Sequence, residues 1–392
     1  MFFLIVLAVL SLMYGYVGWR LIPAAGFSTP ISLALWALLV VLLILPFGPI
    51  FLRMRDIEGP ITDLAASIGY LSFGFITLLF GLLLIKDILW LGWLGVDSLI
   101  SSSDSDSPGA LADPNRRRAI ANAVNIGVLT VTAGLTGYGY YKATRDPDIV
   151  RVDVPIRNLP KQFEGFTIAQ LTDIHVSGTI KRDFVERVVR IANDLKPDIL
   201  ALTGDLVDGS VAALKNDVAP LADLTAPYGR YFITGNHEYY SGVRQWVEET
   251  RRLGFDVLLN EHRVIERDGA RLLLAGVTDY TGGQFSEEHR SDPLKARSNA
   301  PTCDVSILLA HQPQSIFEAA KAEYDFVISG HTHGGQYFPY HWLVALFQPY
   351  VKGMYQHNER TRIYVSTGTG YWGPQLRLGT RSEITLFRLA RA

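Results

Sequence analysis

Long charge-free apolar runs fill the first third of the chain, and short apolar runs with polar ends fill the rest. Asp, Glu, Lys and Arg are absent from residues 1–19, 21–52, 64–85 and 119–141. A bilayer-crossing helix needs about 20 mostly apolar residues, and each run is near or above that length. The pattern predicts a first membrane helix over residues 1–23. A second covers 31–52, with Pro46 and Pro49 near its end, and a third covers 64–93, interrupted by Lys86 and Asp87. No basic side chain precedes the first run, so a retained helix fits it better than a cleaved signal. Trp90 and Trp93 suit a membrane–water interface at the tail of the third. Residues 101–114 (SSSDSDSPGALADP) read as a polar linker. Arg116–Arg118 then lead into the fourth run, whose length favours a span over a buried helix. The expected organisation is a membrane region of about three spans over 1–95, a linker over 96–118, a fourth membrane helix over 119–141, and a separate domain over 150–392.

Past Tyr141 the texture changes. Residues 150–156 alternate like an edge strand. Short apolar strands are expected at 167–171, 199–202, 231–233, 272–275, 305–309 and 326–328. Between the first two, residues 182–195 have helical spacing, with Phe184, Val188, Ile191 and Leu195 on one face. Strands alternating with helices indicate an α/β domain, and ligands in such folds collect beyond the carboxyl ends of the strands.

Composition sharpens this picture. Hydrophobic residues make up 48% of the 392 residues and mean hydropathy is +0.17, which excludes a wholly soluble chain given where the excess lies. With 36 Lys and Arg against 38 Asp and Glu, net charge is −2, and no electrostatic case exists for nucleic-acid binding. A single cysteine, Cys303, excludes an internal disulfide and any cysteine-cluster metal site.

Candidate chemistry sits at the strand ends. Asp173-Ile-His175, Gly204-Asp205, Gly235-Asn236-His237-Glu238, Ala310-His311 and Gly330-His331-Thr-His333 each follow an expected strand. Singly, each is compatible with a cap or turn. Jointly, Asp173, His175, Asp205, Asn236, His311, His331 and His333 supply oxygen and imidazole donors suited to adjacent divalent first-row ions. Mn, Fe and Zn all accept such ligands.

In order and spacing these motifs, with Gly204-Asp205-Leu-Val-Asp208 complete, resemble the calcineurin-like metallophosphoesterase superfamily. Gly334-Gly335-Gln336 and the run Ser366-Thr-Gly-Thr-Gly370 are similar to its membrane-associated bacterial branch. The resemblance covers about residues 152–389. It implies a four-layer α/β sandwich of two mixed sheets flanked by helices, here preceded by an N-terminal transmembrane helical region. It also implies that Asp173, His175 and His333 hold one ion, that Asn236, His311 and His331 hold the other, and that Asp205 bridges them. The resemblance further implies that His237 faces the phosphate and stabilises or protonates the leaving oxygen. Two cations neutralise phosphoryl oxygens and activate a water, and a histidine suits proton transfer near pH 7. Gly209 stands after Asp208, where phosphoprotein phosphatases of the superfamily carry Arg, which argues against that activity.

Other residues receive plainer readings. Arg377 and Arg381 read as solvated strand-end arginines, with a phosphate clamp as the alternative. Glu238 orients His237 at most. His262, His289, His341 and His357 read as surface or loop residues. Residues 337–350 (YFPYHWLVALFQPY) read as core or pocket lining, with a membrane-facing lip as the alternative.

Together these features indicate a multi-pass, cell-membrane-anchored phosphoesterase using two divalent ions (Mn, Fe or Zn), with His237 and Asp205 as its catalytic residues. It would hydrolyse a phosphomonoester or phosphodiester, with a phospholipid or lipid-linked sugar phosphate in the bilayer as the favoured substrate and a soluble nucleotide as the alternative. A non-catalytic metal-binding receptor or scaffold needs no proton donor such as His237. A transporter needs more charge within the spans than Lys86 and Asp87 provide. Positive residues flanking the runs balance between the two orientations. Arg116–Arg118 before a Gly- and Ala-rich run resemble a twin-arginine-type export signal, and together with the single cysteine they favour an extracytoplasmic domain.

Overall fold

The computed structural model describes residues 2–53, 57–100 and 114–392. Of the linker expected over 96–118, residues 101–113 lie outside the described residues, and the flanking parts belong to helices ending at Ile100 and starting at Pro114. Two units emerge: one of apolar helices, and one that comprises Glu58–Asp63, Lys142–Gly373 and Arg377–Ala392.

The apolar unit is built from α1 (Phe2–Ala25), α2 (Thr29–Ile44), α3 (Gly48–Arg53), α4 (Pro60–Ile100) and α5 (Pro114–Thr144). Met13, Tyr14 and Val17 of α1 pack with Ile76, Leu79 and Leu83 of α4. A Cβ on Gly18 would lie 2.5 Å from the Trp36 ring, so the missing side chain lets α1 and α2 approach. Leu12, Leu38, Val40, Val41 and Ile126 face outward, an exposure that water penalises and lipid does not. Among the described residues, three helices are long and apolar enough to cross a membrane: Leu4–Ala25, Pro60–Trp93 and Arg118–Thr144. These features make the chain a membrane protein.

Two expectations for this unit need correction. The second run is not one long helix. Pro46 has no N–H to continue the ladder, so α2 stops at Ile44 and α3 begins anew at Gly48. Its 16 residues rise about 24 Å, less than the roughly 30 Å of a hydrocarbon core. Lys86 and Asp87 do not interrupt the third run either, because α4 continues to Ile100. Asp87 pairs with Arg20 and accepts from Tyr16, both on α1. Lys86 Nζ lies 3.2 Å from Asp87 Oδ1 and 3.5 Å from Asn125 Oδ1 on α5. Charge inside an apolar helix persists where it is paired in this way.

The second unit contains two six-stranded mixed sheets. The strands are β1 (Asp148–Ile156), β2 (Thr167–Leu171), β3 (Ile199–Thr203), β4 (Arg230–Ile233), β5 (Asp256–Val257), β6 (Glu261–Arg267), β7 (Ala270–Gly276), β8 (Val305–Leu309), β9 (Phe326–Ser329), β10 (Gly353–Gln356), β11 (Arg362–Val365) and β12 (Glu383–Arg391). One sheet has the order β1-β12-β2-β3-β4-β5 and the other β10-β11-β9-β8-β7-β6. The β2, β3 and β4 strands run parallel, as do β7, β8, β9 and β11. Alternation along the strands sorts the core into layers. Ile168, Ile199, Ala201 and Ile233 meet Leu272, Leu274, Ile307 and Ile328 between the sheets. On one outer face Leu171, Leu200 and Leu202 pack against Phe184, Val185 and Val188 of the helix Arg182–Asp194. On the other, Leu273, Ala275 and Leu308 pack against Ile316 and Ala319 of the helix Ile316–Lys321. This is the four-layer α/β sandwich that the family resemblance implies.

Candidate metal centre

Parallel strands bring their carboxyl ends to one edge of a sheet. Asp173 and His175 follow β2, Asp205 follows β3 and Asn236 follows β4; His311 follows β8, and His331 and His333 follow β9. The turns there are tight. Asp173, His175, Asp205, His331 and His333 have φ of 51°, 55°, 50°, 70° and 50°, in the left-handed region that non-glycine residues seldom occupy. Such strain concentrates at sites where side-chain placement matters more than local stability. Two glycines make the packing possible. A Cβ on Gly330 would stand 2.2 Å from Asp173 Oδ2, and one on Gly235 2.2 Å from Asp205 Oδ1.

The expected ligands form two donor groups, and a third, of His175, Asp208 and His237, adjoins them. In the first, His333 Nε2 lies 3.1 Å from His175 Nε2 and 3.4 Å from Asp173 Oδ1. In the second, Asp205 Oδ2 lies 3.0 Å from His311 Nε2, and His331 joins them. Asp205 Oδ2 is also 3.8 Å from His175 Nε2, so this carboxylate stands between the groups. Asn236 opens the helix Asn236–Tyr240, in the turn where His237 N donates to Asp205 Oδ1 at 2.8 Å. The donor set fits divalent cations. Asn236 Oδ1 and His331 Nδ1 are buried without a hydrogen-bond partner among the described residues, a costly arrangement that a cation satisfies. Two buried carboxylates, Asp173 and Asp205, add the negative charge such ions need.

A surrounding layer fixes the donors. His311 Nδ1–H donates to Thr203 O at 2.8 Å, which turns Nε2 toward Asp205. Asp208 braces two rings at once: Oδ2 accepts from His175 Nδ1 at 3.1 Å, and Oδ1 accepts from His237 Nδ1. Both Nε2 atoms are thereby left to face the centre, that of His237 at 3.9 Å from Asp205 Oδ2. Asp208 was present in the sequence motif, but the motif alone does not show that one carboxylate serves two histidines. Glu238 does not orient His237. It is fully buried and accepts from Gly235 N at 2.7 Å, Leu206 N at 2.8 Å and Asp205 N at 3.0 Å, holding the Asp205 turn.

Arg377 is a second correction. It is fully buried rather than solvated, and it donates to His333 O at 3.1 Å and to Gly370 O at 2.5 Å. Loop carbonyls that no ladder uses provide its partners. Arg381 is largely exposed and lies 3.5 Å from Glu383 Oε2. None of His262, His289, His341 and His357 belongs to a donor group among the described residues. His289 instead pairs with Tyr239 Oη at 2.8 Å, and His262 with Ala296 O at 2.8 Å.

Charge coupling separates the histidines. Burial pushes His237 down, but the carboxylates of Asp205 and Asp208 carry it up to about 9. Burial likewise opposes charge on His311, and Asp205 overcomes it, raising the ring well above the usual range. For Asp205, burial favours the neutral acid, yet His311, His237 and His175 hold it well below the ordinary carboxylate range. Burial and then the neighbouring His311 push His331 down to about 4, which leaves its ring neutral and ready to donate a lone pair. Burial and the Asp205 charge lift Glu238 to about 8. At the rim, the rings of Tyr240 and Trp372 meet His237 edge-on at 5.3 and 5.4 Å.

The family model for calcineurin-like phosphoesterases matches residues 166–335, the segment from just before β2 to just past His333. A "Transmembrane protein with metallophosphoesterase domain" of Danio rerio is 38% identical over 271 residues, covering 67% of this chain and 62% of its own length. An uncharacterized metallophosphoesterase of Helicobacter pylori is 36% identical over 277 residues, covering 70% of this chain and 73% of that protein. One of Bacillus subtilis is 31% identical over 269 residues, covering 66% of this chain and 91% of that protein. The chain spans slightly under two thirds of the length of the vertebrate relatives it matches.

Proposed function

The chain belongs to the calcineurin-like phosphoesterase family; from that premise we propose that it is a metal-dependent phosphoric ester hydrolase that runs a two-metal reaction on a lipid-linked substrate. Asp173, His175 and His333 would hold one divalent ion and Asn236, His311 and His331 the other, with Asp205 placed to serve both. The position of Asp205 Oδ2, 3.0 Å from His311 Nε2 and 3.8 Å from His175 Nε2, carries this reading. Bound there, the ions supply neutralisation of phosphoryl charge and activation of water. Asp208 holds the His237 ring through Nδ1, and the proton on Nε2 passes to the leaving oxygen. With His237 raised to about 9, that proton is in place at neutral pH.

The bilayer selects the substrate. Only residues 145–147 separate the last residue of α5 from β1, so the hydrolase unit is tethered to a membrane helix with almost no slack. Confinement to a surface raises the effective concentration of substrates in the same surface. Full-length chain in proteoliposomes should hydrolyse a phospholipid or lipid-linked sugar phosphate in its own bilayer faster than the same lipid in separate vesicles. Equal rates for the two placements of every lipid tested would remove the lipid assignment and favour a soluble phosphoester.

The catalytic unit faces away from the cytoplasm, which leaves the Arg116–Arg118 cluster on the cytoplasmic side. A C-terminal alkaline phosphatase fusion should be active, and a fluorescent protein that folds only in the cytosol should be dark. The reverse pair would place the unit inside the cell.

A further inference from the structure

The helix Tyr340–Phe347 presents its apolar side to the exterior. None of its eight residues is buried. Trp342, Leu343, Leu346 and Phe347 are 62%, 48%, 76% and 71% exposed, and at positions i, i+1, i+4 and i+5 they form one stripe. Tyr340, His341 and Val344, on the other side, are half-buried. Residues 334–351 contain no Asp, Glu, Lys or Arg. The ridge is also fixed in place. A Cβ on Gly335 would lie 2.2 Å from His341 Cα, so the first turn sits directly on the metal-site loop, and Gln314 Nε2 donates to Phe347 O at 3.0 Å at the other end. An exposed apolar ridge of this kind marks an interaction surface.

We propose that Tyr340–Phe347 is an interfacial anchor that lays Trp342, Leu343, Leu346 and Phe347 into the headgroup–acyl boundary of the bilayer. Three features select a lipid surface as the occupant. The described residues include three helices long and apolar enough to cross a membrane, and only three residues separate one of them from β1, so a bilayer is within reach. Trp and Tyr beside Leu and Phe are the side chains enriched where a helix lies in a membrane interface. A protein-binding patch has a polar rim that anchors hydrogen bonds, and this 18-residue charge-free stretch supplies little of one. The ridge is linked to the catalytic rim. Gln336, just before it, donates from Nε2 to Trp372 O at 2.9 Å and accepts from Trp372 N at 3.0 Å, and the Trp372 ring meets His237. Insertion stands on the ridge and the tether, independently of which phosphoester is cleaved.

The test uses full-length chain carrying Cys303→Ser, with Leu346→Cys or Phe347→Cys labelled by an environment-sensitive nitrobenzoxadiazole. Glu266→Cys on β6, 62% exposed at its side chain, serves as control. Each is placed in nanodiscs of phosphatidylcholine and phosphatidylglycerol with or without doxyl-labelled lipid. Turnover of a soluble aryl phosphodiester verifies folding. The labels at 346 and 347 should emit to the blue of the control and lose more than about half of their emission to doxyl lipid, as expected for residues within reach of the acyl chains. Solvent-like emission without quenching overturns the proposal. A blue shift without quenching overturns it too, because it means that protein, a second copy or another partner, covers the ridge.

Discussion

Asp205→Asn should abolish phosphoesterase activity and strip metal from both donor groups. The Asp205 carboxylate stands between His311 and His175, so neutralising it removes a buried charge that both proposed cations would share. Losing one partner of a buried charge pair costs about 3–5 kcal/mol, or about 10²–10⁴ in affinity. Asp173→Asn touches the first group alone and should leave the second able to load. Metal content by mass spectrometry and turnover of an aryl phosphodiester, measured on both variants, separate the cases. Wild-type metal content in Asp205→Asn, or a larger loss in Asp173→Asn, would remove Asp205 from its bridging role.

His237→Ala should keep its metal and lose about 10²–10⁴ in turnover, the usual worth of a positioned general acid. Its ring nitrogens face Asp208 and Asp205, and it belongs to neither group assigned to an ion. The pH profile adds a second test. A histidine raised to about 9 is protonated at neutral pH and loses its proton as pH rises through that value, so wild-type turnover falls on the alkaline side. Cations on Asp205 offset part of that carboxylate's pull, which sets this limb at or below pH 9. In His237→Ala the limb should vanish, and a substrate with a more acidic leaving group should recover part of the lost rate because it needs less protonation. Loss of metal in this variant would move His237 into the ligand shell.

Much of this architecture is readable from local pattern. The β2, β3, β8 and β9 strands are short apolar runs that end abruptly in Asp, His or Gly, and the structure places them within one residue of expectation. What escapes is structure defined by partners distant in sequence. The β5 strand has two residues, and β10, β11 and β12 owe their pairing to edges supplied elsewhere in the sheets. The β6 strand did leave a signal: Asp268 and Gly269, with φ of 48° and 82°, form the two-residue hairpin turn that an Asp-Gly pair favours. Arg377 left none, because burial of a guanidinium depends on carbonyls from the His333 and Gly370 loops meeting around it. Asp87 is similar, since its partner Arg20 lies 67 residues away. The chemistry itself was legible as residue types at strand ends. The arrangement of Asp208 and Glu238 behind those residues was not.

The most direct measurement is a metal titration of the full-length, metal-stripped chain in nanodiscs, with bound ion and turnover of bis(p-nitrophenyl) phosphate followed together. The account predicts no turnover without divalent ion and full turnover only as two equivalents of Mn²⁺ load per chain. Full turnover in the stripped protein, or saturation of activity at one equivalent, would contradict it.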